Sequence, residues 1–372
     1  MEILIAQEVL TKVLTTVLHV IPARTTFPVL SNILLETEDG KIRVSGTDLD
    51  VAVTTQVEAE IKRPGAITLP ARRLGEIARE LPKQPVRIVC EGEQAEIICH
   101  RSKFRVSGMA KEEYPELPPL PTESGFRVPG SLIERTVNKV AFAVAGDEAR
   151  PALCGALCQI AEGTIRLVAT DGHRLALVER KGLPGLPKKL EAIVPRKALT
   201  EVIRVLDPES EVEIRVDSGR IGIYLGETSI TARLIEGPFP DYRQVIPKEN
   251  PNRVRVEAGE LTAALRRVAI FSSPHTHLVR MSLGGEGLEL FAATPDIGEA
   301  REKVACEYGG EDMDVGYNAS YLLEILRNVG SDQVQMSLST PLSAGLVTPE
   351  EQEQGEELLY LLMPIRLSEA VE

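Results

Sequence analysis

The sequence predicts an α+β fold built three times over, each unit holding two helices packed on antiparallel sheets. Two observations lead there. The segments "ETEDGKIRVSGTDLDVAV", "IAEGTIRLVATDGHRLAL" and "GGEGLELFAATPDIGEA" share an acidic-Gly turn, an alternating strand, a second turn and another strand, with Gly40, Gly163 and Gly287 lying 123 and 124 residues apart. Self-similarity at a fixed period outranks any local motif, because it sets the architecture in which the motifs sit. Each copy also runs twice from a short apolar strand into a helix, which calls for helices on one face of antiparallel sheet.

Each unit opens in the same way, with "MEILIAQEVLTKVLTTVLHV", "GFRVPGSLIERTVNKVAFAV" and "NRVRVEAGELTAALRRVAIF" predicting helices over 7–20, 130–144 and 258–271. In the first of these Val9, Leu10, Val13, Leu14, Val17 and Leu18 recur at helical spacing and form one apolar stripe. The second half of each unit, "AITLPARRLGEIARELP", "EAIVPRKALTEVIRVLD" and "DMDVGYNASYLLEILRNVG", predicts helices over 70–81, 195–206 and 318–329. The proline-rich stretch Tyr114 to Gly125 cannot continue a sheet or helix and reads as a linker, and Gly237 to Pro251 reads the same way. The expected domains are therefore 1–121, 122–249 and 250–372. The acidic insert "TPEEQEQGEE", Thr348 to Glu357, reads as a solvated loop on its charge and lack of periodicity.

At 372 residues the chain is long enough for two or three domains with ample core. No apolar run reaches the roughly 18 to 20 residues of a membrane span, and "MEILIAQEVL" lacks the basic start and small-residue cleavage site of a secretory signal, so a cytoplasmic protein with no membrane partner is expected. The five cysteines, Cys90, Cys99, Cys154, Cys158 and Cys306, form no C-x-x-C pair and suggest neither a zinc site nor a disulfide framework. A net charge of −13 argues against a simple basic nucleic-acid binder. The lack of Trp and an aromatic content of 4% argue against a binder that stacks single-stranded bases.

One stretch invites a catalytic reading: "ATDGHRLAL", Ala169 to Leu177, sets Asp, His and Arg close together in a chain with five histidines. Asp171 and Gly172 lie between two alternating runs, the pattern of a type I′ hairpin. A metal-dependent hydrolase using Asp171 and His173 would need a nucleophile or further ligands nearby, and none is evident. The matching places hold Asp48, Leu49 and Asp50 in the first repeat and Pro295, Asp296 and Ile297 in the third, so the histidine is an addition to a scaffold turn. The H-x-H pair of His275 and His277 lacks two further ligands, and no phosphate loop or nucleophile elbow is present. No enzymatic activity, cofactor or metal is expected.

Charge is unevenly distributed. The six predicted helices carry 12 Lys and Arg against 7 Asp and Glu, a balance of +5, which leaves −18 for the rest. Helix surfaces are often basic for no special reason; the alternative is a body whose helical face meets phosphates while its sheet face repels them.

With the three-unit plan, "RTTFPVLSNILLE" in the first unit, "ATDGHRLAL" and "FPDYRQVIP" in the second and "MPIRL" near the end, the whole chain resembles the bacterial sliding clamps, the beta subunits of DNA polymerase III. The resemblance implies three clamp domains per chain and a homodimer, closed head to tail into a six-domain ring that encircles double-stranded DNA without reading its sequence. It implies as partners the catalytic subunit of the replicative polymerase, the clamp loader and other proteins carrying clamp-motif peptides. By position it assigns DNA contacts to Arg24, Arg73, Arg196 and Lys197. A peptide groove between the second and third domains would be lined by Leu153, Thr170, Gly172, His173, Arg174, Leu175, Pro240 and Val245, and closed by Leu342, Leu361, Leu362, Met363, Pro364, Arg366 and Leu367. The dimer contact would join Phe104 and Val106 to Ile270 and Phe271. This chain departs from many members at Pro151 and Ala152, where an aromatic is common, at Gln244, where Arg is common, and in the extra tail Ser368 to Glu372. Those departures leave open a clamp paralogue serving repair or inhibitor resistance.

Overall fold

The computed structural model describes residues 1–123 and 125–367, so the tail Ser368 to Glu372 lies outside the described residues. Six α-helices are present among them: α1 (Gln7–Leu18), α2 (Ala71–Glu80), α3 (Gly130–Val140), α4 (Arg196–Val205), α5 (Ala258–Val268) and α6 (Ala319–Asn328). All six fall where the repeats predict. The ends of the predicted 130–144 and 258–271 segments tighten into 3₁₀ turns at Ala141–Ala143 and Ala269–Phe271, a common way to finish a helix. α1 buries Leu10, Val13, Leu14 and Val17 of its stripe, but Val9, at the stripe's edge, is exposed and Leu18 half-buried, and Gln7 Nε2 donates to the Ala78 carbonyl of α2 at 2.6 Å.

The sheets do not follow the repeat borders. One eight-stranded sheet holds strands of the first repeat and of the second, joined where Val51–Glu58 pairs antiparallel with Thr228–Arg233, Val51 opposite Ala232. A nine-stranded sheet does the same for the second and third repeats, where Arg174–Arg180 pairs with Glu356–Leu362, Arg174 opposite Leu362. Two smaller sheets belong to the first and third repeats alone. Compactness divides the chain into Met1–Glu134 with Val194–Leu234 and Arg135–Ile193 with Ile235–Glu372, so the middle repeat is split.

Two expectations need correction. The type I′ geometry falls one turn earlier than the Asp171–Gly172 pair: Asp39–Gly40 and Glu162–Gly163 have both residues at positive φ, in two-residue loops closed by Glu38 opposite Lys41 and Ala161 opposite Thr164. At the later turn only Gly172 is left-handed (φ +92°), and Asp171 Oδ1 accepts from the backbone N–H of His173 (2.9 Å) and of Arg174 (3.0 Å). An acceptor side chain has replaced the second left-handed residue. The acidic insert is a solvated loop only in its middle: 350–355 are exposed and irregular, whereas its ends belong to the strands Gly345–Pro349 and Glu356–Leu362 and two of its carboxylates are held. Glu356 is 5% exposed and pairs with Lys139 of α3 and, at 2.9 Å, with Arg135 Nε, while Glu353 pairs with Arg135 and Arg180. The hydrogen bond from Arg135 holds the Glu353 carboxyl below its ordinary range, although burial pulls it the other way.

The Gly237 to Pro251 stretch is more than a connection. Tyr242 is buried in one core cluster with Leu157, Val168, Leu175, Leu177, Ile193, Ala344 and Leu361, and Phe239 and Ile246 pack against it. All five cysteines are free, and burial pushes the Cys158 thiol up to about 12.

Candidate functional site

The Thr170 to Arg174 turn is built by its own side chains. Thr170 Oγ1 donates to the Arg174 carbonyl (2.6 Å) and accepts from Gly172 N–H (3.0 Å). The first repeat makes the same four bonds with Thr47 and Asp48. Leu49 there takes the left-handed place of Gly172 at φ +87°. Beyond the turn, Met363 N–H donates to the His173 carbonyl at 2.9 Å and fixes the "MPIRL" segment beside it.

Arg174 is not a groove wall with free donors. Its side chain is 8% exposed. Nε pairs with Asp171 (3.1 Å), Nη1 with Glu324 of α6, and Nη2 donates to the Phe142 carbonyl (2.7 Å). The guanidinium also lies over the rings of Tyr321 (4.4 Å) and Phe142 (5.1 Å), and His173 stacks on Tyr321. Burial, then the Asp171 charge, raises the Tyr321 phenol above its ordinary range. Both Asp171 oxygens are thus engaged, so the hydrolase reading has no carboxylate left to act on a substrate.

The remaining groove candidates divide by burial. Leu153, Leu175, Leu361 and Leu362 are buried and can only be floor. Val245 (51% exposed), Leu342 (59%) and Met363 (41%) are exposed apolar side chains. Gly172, His173, Pro240 and Arg366 are exposed, and Thr170, Pro364 and Leu367 half-buried. Arg150, which the sequence reading did not single out, donates from Nη2 to the Asp171 carbonyl at 2.6 Å. Gln244 is turned onto Asp241 (3.1 Å).

The other candidates also sort. Arg24 and Arg196 are exposed, and no ion pair holds either among the described residues. Arg73 pairs with Glu76 at 3.2 Å on an open surface, where such pairs stabilise little. Lys197 is committed: Nζ donates to the Val20 carbonyl (2.7 Å) and binds Asp48. Phe104 is exposed and Ile270 is 73% so, but Val106 is only 7% exposed and offers little side chain to a second copy. Exposed cations that a residue-by-residue likeness passed over are Lys12, Arg72, Arg266 and Arg327 on four of the helices. Ile297, 66% exposed in the third repeat's turn, was passed over too. It looks unremarkable in sequence, as one apolar residue in a polar turn.

Three repeated α+β units joined through shared sheets, with basic helices, define a clamp-type scaffold rather than a catalytic one. Family models for the N-terminal, central and C-terminal domains of the DNA polymerase III beta subunit match residues 1–118, 127–241 and 243–366. The chain belongs to that family. It is 35% identical to the beta sliding clamp of Pseudomonas aeruginosa over 370 residues and 33% identical to that of Escherichia coli K12 over 372, covering 99% of this chain and 100% of each relative. Among solved structures, a P. aeruginosa clamp bound to griselimycin superposes with a TM-score of 0.91 at 35% identity, and a Bartonella birtlesii clamp bound to griselimycin with 0.93 at 31%; each comparison covers 99% of this chain and 100% of the other. The protein is accordingly a sliding clamp of DNA polymerase III, an accessory subunit and not an enzyme. No helix among the described residues is long and apolar enough to cross a membrane.

Proposed function

We propose that two copies close head to tail into a ring around duplex DNA in the cytoplasm, with domains at 1–121, 122–249 and 250–372. The reading is carried by two open sheet edges. Both joints inside the chain pair the strand after the Thr-led turn of one repeat with the last strand of the next. The strands left over in those roles are Gly298–Val304 and Ser102–Ser107, each at the edge of its sheet. Unpaired edges invite pairing. The bridges Thr68 to Met109 and Gly316 to Ile365 align Val106 with Leu362. The third repeat's turn is one residue shorter, Thr294 pairing with Gly298 where Thr170 pairs with Leu175, so by sheet register Ile297 and not Gly298 takes Arg174's place, and the same register sets Val106 of one copy opposite Ile297 of the other, near Phe104, Ile270 and Phe271. Val106 thus contributes its backbone, and the exposed Ile297 gains an apolar neighbour.

Inside the ring, Arg24, Arg73 and Arg196 with the other exposed helix cations meet phosphates only, and contacts without base register let the ring slide. The rim of Val245, Leu342 and Met363 over a floor of Leu153, Leu175, Leu361 and Leu362 accepts apolar anchors of linear peptides from the polymerase catalytic subunit, the clamp loader and other partners. Met363 suits a groove that serves several partners, since its side chain repacks easily. The test is retention on circular duplex DNA after loading, in rising salt, followed by cutting the circle. Retention that resists salt on the circle and ends on linearisation is expected. Equal stripping by salt from both forms would withdraw the ring.

A further inference from the structure

The two joints inside the chain are each closed by one buried or half-buried cation, but the cation comes from different places. At the joint of the second and third repeats it is Arg174, from the turn, binding Asp171, the Phe142 carbonyl just past α3 and Glu324 of α6. At the joint of the first and second repeats the residue in Arg174's place is Val51, since Val51 lies opposite Ala232 as Arg174 lies opposite Leu362. Matching backbone bonds flank both positions, Arg233 N–H to the Asp50 carbonyl and Met363 N–H to the His173 carbonyl, each at 2.9 Å. Val51 is 1% exposed and has no charge to offer. The missing cation is supplied from α4 instead. Lys197 reaches across to Asp48, the counterpart of Asp171, and to the Val20 carbonyl just past α1.

We propose that Lys197 is a positioning residue standing in for Arg174, which holds the first and second repeats in the geometry that lets two copies close, and that it is not a DNA contact. Two of the three ammonium donors are taken by the Val20 carbonyl and by Asp48, and the Asp48 carboxylate offsets its charge, so Lys197 has less to offer a phosphate than Arg196 beside it, unpaired among the described residues. The counterpart of Glu324, the sixth residue of its helix, is Glu201, also sixth in α4. Without an Arg from the turn, Glu201 among the described residues bonds only Arg204 at 2.7 Å and keeps Oε2 buried without a partner there. Lys197 therefore is the bond that ties α4 to the first repeat's turn.

The experiment compares wild type, Lys197→Met, Asp48→Asn, the double variant and Arg196→Ala as full-length chains. Asn at 48 keeps an oxygen for the Asp50 and Val51 amides, which Asp48 Oδ1 now accepts, while removing the charge facing Lys197. It reads the monomer–dimer dissociation constant by sedimentation and the salt dependence of retention on circular DNA. Closure of two copies rests on the ring reading above. Lys197→Met and Asp48→Asn should each raise the dissociation constant at least tenfold, with the double variant no worse than either, while Arg196→Ala leaves it unchanged. The proposal is overturned if Lys197→Met lowers the salt slope by about one, as loss of a phosphate contact does, with Asp48→Asn silent. It is equally overturned if both variants only lower thermal stability and dimerise as wild type. A wild-type chain that stays monomeric would sink the ring reading and the positioning role with it; a dimeric wild type with unaffected variants sinks the positioning role alone.

Discussion

Replacing Arg174 by Met should loosen the Thr170 to Arg174 turn by about 3 kcal/mol. The magnitude follows from its partners. Breaking a buried ion pair by removing one member costs about 3–5 kcal/mol when the survivor stays dry. Asp171 is 15% exposed but keeps two backbone N–H donors on Oδ1, so its share falls below that range, to about 1–2 kcal/mol, and Glu324 is 41% exposed and can rehydrate, so its share is small. The Phe142 carbonyl loses its donor, at about 1–3 kcal/mol if it stays buried. Loss of the stacked cation over Tyr321 and Phe142 adds roughly 1 kcal/mol. Met recovers part of this through apolar contact with the two rings. The assay is native-state amide exchange at Arg174 and Met363, whose N–H groups bond Asp171 and the His173 carbonyl. A cost of about 3 kcal/mol lowers protection by about two powers of ten if the turn opens locally. A change under threefold would refute the argument and mean that the guanidinium only fills space.

Other outcomes follow from single sites. Leu49→Gly should stabilise by up to about 1 kcal/mol, because Leu49 is 50% exposed and loses little burial while shedding a left-handed backbone that Gly172 takes without strain; chemical denaturation checks it. Gly345→Ala should be destabilising by about 2 kcal/mol, since an added Cβ collides with the Tyr317 hydroxyl and also crowds Leu338 Cδ2. Tyr317→Phe should cost little alone, that hydroxyl being buried without a partner among the described residues, and should rescue Gly345→Ala in part; no rescue at all would place the clash at Leu338. Burial raises the Glu201 carboxyl above its ordinary value. A folded value raised above the unfolded one gives stability that is present below about pH 4.5 and lost as pH rises through the folded value. Glu201→Gln should therefore raise the thermal midpoint at neutral pH and not at pH 4, and melts at the two pH values decide it.

The repeat told most of the architecture before any coordinates. Turn glycines at a fixed spacing and strand-to-helix junctions are local features, and local features survive in a sequence. What stayed hidden was long-range. Asp171–Gly172 has the composition of a two-residue hairpin, but Thr170 and Asp171 had side chains available to bond the backbone, and their bonding selects the wider turn. The insert at Thr348 to Glu357 has the composition of a solvated loop, and only the fold brings Arg135 and Lys139 against it. Exposed and buried groove candidates cannot be separated by residue type, since Leu342 and Leu362 differ only in which way the chain turns them. Lys197 shows the limit best: its place in a basic helix is visible in the sequence, and its bond to Asp48, 149 positions away, is not.

Because the middle repeat is divided, the chain passes from one compact unit to the other after Glu134, again after Ile193 and a third time after Leu234. No single cut in the backbone can therefore release either unit, for two threads remain uncut and the fragments stay knitted through ladders such as Val51 to Ala232 and Arg174 to Leu362. A nick by a protease in either proline-rich connection would leave the molecule whole.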